Sequence, residues 1–449
     1  MTSLWFSVKK IPLWYYTEVH GEVTELHRGK STNKIKVLFF LYNIFIFFYV
    51  LGIRAASLVN EKAKLWVNGR IDILRKIERT LAGNHHKKKI AWFHCASLGE
   101  FEQGRPVIEA FKEAMPDYLI FLTFFSPSGY EIRKNYPGAD HVFYLPADYA
   151  GMAAKFVKTL SPDIVFFIKY EYWYNYLAVL KQRGIPTYMV SAIFRPSQIF
   201  FKWYGSWFRK QLNNLTWFFV QDEDSEKLLR KIGIGRVSVS GDTRFDRVSE
   251  IAKQENPVEG VDEFCKDSRV LLAGSTWPDD EKILLPFILE NKTKFKFIIA
   301  PHEVYKERID GLMSEVGPGG LRFSQAGETN IRDARILVID SIGILASLYR
   351  YAFISFVGGG FGVGIHNILE PATFGVPMIF GPNYERSKEA RDLIREGGAI
   401  SIKSEEDFHT AVGRLTDVPG ERDRASAICA AYVTSHKGAT AHILKHLHA

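Results

Sequence analysis

Apolar residues come along this chain in two series of short runs, most of them followed by a stretch with helical spacing. In the first series, β-branched and aromatic runs predict strands at Ile90–His94, Tyr118–Phe124, Val142–Leu145, Ile164–Ile168, Thr187–Val190 and Trp217–Val220. The second series predicts strands at Val270–Ala273, Phe297–Ala300, Ile336–Ile339, Phe353–Val357 and Met378–Phe380. Helical spacing, as in Phe101–Ala114, separates most of these runs. Such alternation predicts α/β domains built on parallel, doubly wound sheets. Two series predict two Rossmann-like domains, 55–246 and 268–449, joined by a weakly periodic linker at 247–267. Ligands of such a pair bind in the crevice between the carboxyl ends of the two sets of strands.

One apolar run is longer. Val37–Ile53 holds 17 uncharged residues flanked by Lys34, Lys36 and Arg54. A membrane span wants roughly 20 residues, so this one is short but usable, and a buried core helix is the alternative. Its distance from Met1 and the lack of a small-residue cleavage site speak against a removed signal peptide. We read 37–54 as a membrane anchor. The positive charges that follow (Arg54, Lys62, Lys64, Arg70, Arg75, Lys76) put the bulk of the chain in the cytosol if it inserts. Residues 1–36 form an extension of no evident function.

The charge sharpens this picture. The net charge is +8, and residues 1–110 alone hold 17 Lys+Arg against 9 Asp+Glu, which already gives +8. A basic front end beside an apolar segment favours an anionic membrane surface or an acidic lipid, with a solvated basic face as the plainer reading. No nucleic-acid-binding motif accompanies it. Cys95, Cys265 and Cys429 are far apart and outside any C-x-x-C pattern, which argues for a reducing compartment and against structural zinc or disulfides.

The stretch Tyr351–Pro382 carries the strongest chemical signal. A strand runs into Gly358, Gly359, Gly360, Gly362 and Gly364, then into His366, Asn367, Glu370 and Pro371 at the start of a helix. Free N–H groups at a glycine loop and a helix N-terminus suit an anion. The spacing fits neither the dinucleotide fingerprint nor the P-loop. Glu370 would repel a phosphate but could accept hydrogen bonds from a ribose diol, so the stretch suggests an activated sugar. Other turns fall after strands too. Ser97, Gly99 and Glu100 follow the first; Glu100 is a candidate general base, or merely a complement to its helix dipole worth about 0.3–1 kcal/mol. Glu171, in Lys169–Asn175, faces the same crevice or serves as a capping acid. Ser275 with Thr276, and Pro301 with His302, stand where phosphate or base contacts occur, and equally where helices are capped.

Taken in order, WFHCASLGE, KYEYWYN, SGDTRFD, AGSTW and GGGFGVGIHNILEPATFGVPMIFGP resemble the 3-deoxy-D-manno-octulosonic acid (Kdo) transferases of lipopolysaccharide synthesis, from about Val37 to the C-terminus. The resemblance implies a GT-B fold, CMP-Kdo as donor, a lipid A precursor (lipid IVA) as acceptor, and inversion at the anomeric centre without metal or cofactor. It implies catalytic domains on the cytoplasmic face of the inner membrane. It makes Glu100 the base and Glu171 a second essential acid, with Ser97 and Gly99 on the acceptor side. Asn367 and Glu370 become donor-nucleotide contacts. Three positions depart from the family pattern. Pro301-His302-Glu303 stands for Pro-Arg-His, Gly343-Ile344-Leu345 for a GEL turn, and Ser191-Ala192-Ile193 for N-A-R. The alternatives are another GT-B nucleotide-sugar enzyme or a non-catalytic, membrane-tethered nucleotide-sugar binder.

Overall fold

The structure, a computed structural model, describes residues 29–82, 88–254, 257–327 and 331–448. Most of the expected extension, residues 1–28, lies outside the described residues. The first domain is a seven-stranded parallel sheet in the order β3-β2-β1-β4-β5-β6-β7. Its strands are β1 Lys89–Cys95, β2 Tyr118–Phe124, β3 His141–Tyr144, β4 Ile164–Ile168, β5 Thr187–Ala192, β6 Trp217–Val220 and β7 Val237–Val239. The second is a seven-stranded sheet in the order β10-β11-β9-β8-β12-β13-β14. Its strands are β8 Val270–Thr276, β9 Lys296–Pro301, β10 Gly320–Arg322, β11 Ile336–Val338, β12 Ile354–Val357, β13 Met378–Phe380 and β14 Ala399–Ser401. All pairings in both sheets are parallel.

Each sheet is buried on both faces, which is why its strands are continuous apolar runs. In β1 the alternation still shows. Trp92 packs with Phe121, Phe156 and Phe167 on one face, and Phe93 with Phe111, Leu122 and Phe166 on the other. In the second domain Leu271, Phe297 and Phe356 face one layer of helices while Leu272, Ile298 and Leu337 face the other. Burying each such side chain contributes about 1.5–3 kcal/mol.

Seven helices matter for the site: α1 Gly29–Ala56, α2 Leu98–Ala114, α3 Tyr174–Gln182, α4 Thr243–Lys253, α5 Pro278–Glu290, α6 Leu369–Thr373 and α7 Ala439–Leu447. The apolar segment is thus the greater part of one helix that starts at Gly29, before Val37. It is packed on one side. Tyr42, Ile46, Tyr49, Val50 and Ile53, spaced three and four apart, lie against Trp66, Phe125 and Trp173 of the first domain. Phe40, Leu41, Phe45, Phe47, Phe48 and Leu51 on the other side are exposed.

The segment expected as a linker contains structure. Helix α4 takes up its first third and touches both α2 and α6, and a short helix, Val261–Cys265, follows. Helix α7, expected in the second domain, crosses back so that Ile443, Leu444 and Leu447 join the core of the first. Asp246 of α4 fixes that return by accepting the N–H groups of Gly438 and Thr440 at 2.6 and 2.7 Å.

Candidate active site

The candidate residues gather at the carboxyl ends of the two sheets. β1 ends at Cys95, and Ser97 stands at the N-cap position of α2 without a side-chain bond to the helix backbone. The Ser97 hydroxyl donates to Glu100 Oε2, so the carboxylate is tied to its own helix N-terminus. Gly99 is exposed, and a Cβ there would meet nothing nearer than Ser97 Oγ at 3.8 Å. Glu100 itself is half-buried.

β4 ends at Ile168, and the next residue, Lys169, takes φ 69°, a left-handed conformation costly for a side-chain-bearing residue. The turn that follows carries Glu171, which is buried. Its Oε2 accepts from Trp173 Nε1 at 2.5 Å and lies 3.2 Å from His94 Nε2. His94 stands in β1, so Glu171 is bonded across the sheet to the strand that leads to Glu100. Cys95 sits among these acids. Its thiol is pushed well above the ordinary range, by burial first and then by Glu100, Glu171 and Glu102.

On the donor side, β8 ends in a bend at Ser275, which takes φ 55°. The glycines are required by backbone-to-backbone packing. A Cβ on Gly358 would lie 2.2 Å from Ser275 O, and one on Gly360 would lie 2.5 Å from Gly381 N. The loop is not the free anion cradle that the sequence suggests. Asp280, fully buried near the start of α5, accepts the N–H groups of Gly359 at 2.7 Å and Phe361 at 3.3 Å. Gly358 N–H goes to Gly274 O, and both Gly362 and Gly364 donate to Gly359 O. A carboxylate already fills the role expected of a phosphate. The helix that follows, α6, is a single short turn or so of Leu369–Thr373.

Thr276 is buried, and its hydroxyl donates to Glu281 Oε1 of α5 at 2.7 Å. Pro301 is buried as the last residue of β9. His302 is exposed and stacks across the face of two nearly coplanar rings, Trp277 at 4.6 Å and His366 at 4.5 Å. Trp277 Nε1 donates to His366 Nε2 at 3.0 Å, and burial together with His302 pushes His366 down to about 4. A neutral His366 that accepts at Nε2 carries its hydrogen on Nδ1. Trp277, Asp280 and His94 are residues whose part in the site the sequence alone did not single out.

Asn367 and Glu370 work as a pair. Asn367 Oδ1 accepts Leu369 N–H at 3.2 Å, and its Nδ2 donates to Glu370 Oε1 at 3.1 Å. Burial, with the nearby charge of Glu102, pushes the Glu370 carboxyl up to about 7, while Asn367 and Arg247 pull it back. Glu102 lies two residues beyond Glu100, and Arg247 of α4 bonds to it at 3.3 Å. The N-terminal turn of α2 and that of α6 therefore meet across α4, one domain facing the other.

Two Rossmann-like domains that face one cleft in this way define a GT-B protein, the fold of many nucleotide-sugar glycosyltransferases. The UDP-GlcNAc 2-epimerase from Neisseria meningitidis, solved with UDP-GlcNAc, shares the fold with a TM-score of 0.57 at 16% identity, over 80% of this chain and 99% of that one. A family model described as 3-deoxy-D-manno-octulosonic-acid transferase (kdotransferase) matches residues 72–247. The 3-deoxy-D-manno-octulosonic acid transferase of Chlamydophila psittaci is 26% identical over 346 residues, 74% of this chain and 78% of that protein. The same-named protein of Rickettsia bellii is 26% identical over 370 residues, 79% and 86%. Over most of its length the chain is similar to 3-deoxy-D-manno-octulosonic acid transferases, and the family model covers most of its first domain.

Proposed function

We propose that this protein moves Kdo from CMP-Kdo to a hydroxyl of a lipid A precursor, lipid IVA, with inversion and without a metal ion. The observation that carries the reading is Glu100, held by Ser97 on the helix turn whose Glu102 faces the Asn367–Glu370 pair of the other domain. The acceptor oxygen attacks the anomeric carbon as the bond from that carbon to the CMP phosphate breaks. Glu100 takes the hydroxyl proton, and CMP leaves with the bonding electron pair. Attack from the face opposite CMP inverts the centre.

Glu370 accepts the ribose hydroxyls, and the Nδ1–H of His366 supplies a donor toward the leaving phosphate. His302, stacked on Trp277, stands where the family pattern has an arginine, so a planar ring takes the place of a guanidinium. No group of three or more His, Cys, Asp or Glu suited to a metal ion occurs among the described residues.

The exposed side of α1, with Leu58, Val59 and the basic residues after it, rests in the cytoplasmic surface of the inner membrane. Its other side is occupied by the first domain, which favours a helix lying in the interface over a lone span.

Transfer from CMP-Kdo to lipid IVA in EDTA tests the reading, comparing wild type with Glu100→Gln. Product with wild type and almost none with the variant supports both reaction and base. Product from both removes Glu100 from that role. No product from either, with CMP-Kdo still bound, leaves the tethered binder, the reading favoured by His302 in place of arginine.

A further inference from the structure

Both hydrogen-bond donors that hold Glu171 converge on one of its oxygens. Trp173 Nε1 donates to Oε2 at 2.5 Å, and His94 Nε2 lies 3.2 Å from the same atom. The His94 side chain is fully buried, while that of Glu171 keeps 11% of its surface open. Behind His94 the polar chain continues inward. Nδ1 is 2.9 Å from Thr123 Oγ1, and that oxygen accepts Trp92 Nε1 at 2.8 Å.

Nδ1 also lies 3.1 Å from Thr123 O, and Nε2 lies 3.2 Å from Trp173 Nε1, so the imidazole is gripped at both nitrogens. A Glu171 carboxylate only accepts, so the contact between it and His94 is a hydrogen bond when Nε2 carries a ring hydrogen. Burying Trp92, Thr123 and His94 as a polar series costs more than an apolar filling of the same space would. The series ends on a carboxylate at the cleft, and that end gives it a purpose.

We propose that His94, held in place by Thr123, is a positioning residue that clamps Glu171 Oε2 together with Trp173 and turns Oε1 toward the cleft. There Oε1 accepts a hydrogen bond from a hydroxyl of the bound sugar. The inference deepens the transferase reading and rests on it. The strained turn at Lys169 belongs to the same device, because it brings the chain back after β4 so that Glu171 and Trp173 reach β1.

The test uses the full chain in detergent micelles and four variants: His94→Phe, His94→Gln, Thr123→Val and Glu171→Gln. Gln keeps an N–H near the position of Nε2; Phe keeps the ring and neither nitrogen. We expect His94→Phe to lower kcat by up to about 100-fold, the scale of a misplaced catalytic group. The KM for CMP-Kdo should stay within about twofold, and His94→Gln should recover most of the rate. The indole 1H–15N signal of Trp173, assigned through Trp173→Phe, should move in His94→Phe and in Glu171→Gln. If Gln rescues no better than Phe, or the indole signal stays put, His94 is packing and the clamp is wrong. If His94→Phe does not fold, Thr123→Val carries the test, with the same loss of rate and the same indole shift expected. If wild type transfers no Kdo, the proposed reaction fails, and the indole signals still decide whether the clamp exists.

Discussion

Asp280 accepts the backbone N–H of Gly359 at 2.7 Å, binding the start of α5 to a loop 79 residues further on. The same carboxylate takes Phe361 N–H and Trp277 N–H, so one side chain holds both the glycine loop and the tryptophan of the donor side. Hydrogen bonds to a charged group are worth about 1.5–3 kcal/mol each, so we expect Asp280→Ala to destabilise the protein by about 3 kcal/mol or more. We also expect CMP-Kdo affinity to fall at least about tenfold, since 1.4 kcal/mol of lost loop order suffices for that. Urea unfolding and titration calorimetry measure the two. Unchanged affinity in a folded Asp280→Ala protein would show that the loop does not shape the donor site.

Glu370 predicts a pH dependence. Its carboxyl titrates near 7 in the fold against an ordinary 4.5, because burial and Glu102 oppose its charge. The folded state therefore holds a proton that the unfolded state has released, and stability falls as pH rises from about 4.5 to about 7. Ligand binding runs the other way. If the ribose hydroxyls donate to Glu370, the carboxylate is the competent form, and its share rises from roughly a tenth at pH 6 to roughly nine tenths at pH 8. Calorimetry should show CMP-Kdo binding up to about tenfold tighter at pH 8 than at pH 6. Glu370→Gln should flatten both profiles. A wild-type affinity that is flat in pH removes Glu370 from the donor contacts.

Much of this was legible in the chain, and the exceptions have physical causes. Eleven strands show as apolar runs because both sheets are covered on both faces. The three that do not, Val237–Val239, Gly320–Arg322 and Ala399–Ser401, are three-residue strands at sheet edges, too short to carry a pattern and only partly covered. The positions of Glu100 and Glu171 just past strand ends could be read because the end of an apolar run marks the crevice. What held them could not. His94 reads as one more residue of a buried strand, and its bond to Glu171 spans 77 positions. The glycine loop misled for a related reason. Sequence shows which N–H groups are free of side-chain bulk, but the distant acid that takes them, Asp280, declares nothing locally.

Thr276 offers a check on that last point. Its hydroxyl and the Arg308 guanidinium share Glu281, with both ends of the ion pair largely buried. Removing one partner of a buried pair leaves an uncompensated charge, so Glu281→Ala should cost about 3–5 kcal/mol by urea unfolding. Thr276→Val removes a single neutral donor and should cost about 1 kcal/mol. Because that hydroxyl already donates to Glu281, the KM for CMP-Kdo should stay within about twofold in Thr276→Val. A large rise in KM in that variant would put Thr276 in the donor site.

Helix α1 is tied to the first domain by a buried acid. Tyr42 donates its hydroxyl to Asp148 Oδ2 at 2.5 Å, and the same carboxylate accepts Asn175 N–H and Tyr176 N–H at the start of α3. Burial pushes Asp148 up to about 6 from an ordinary 3.8, with these three bonds pulling it back. Its ionisation therefore costs stability as pH rises from about 4 to about 6, and Tyr42 limits that cost. Tyr42→Phe removes a bond to a neutral acid at pH 4.5, worth about 1 kcal/mol, and a bond to a carboxylate at pH 8, worth about 1.5–3 kcal/mol. Unfolding in detergent at the two pH values should therefore show the larger loss at pH 8. The asymmetry is the diagnostic, because a loss from altered packing alone would be the same at both. Equal losses would mean that the helix is held by its apolar stripe and that Asp148 serves α3 alone. The expected asymmetry would make docking of the helix weaker in alkaline solution, measurable as faster proteolysis between Ala56 and Glu61 in Tyr42→Phe at pH 8 than at pH 4.5.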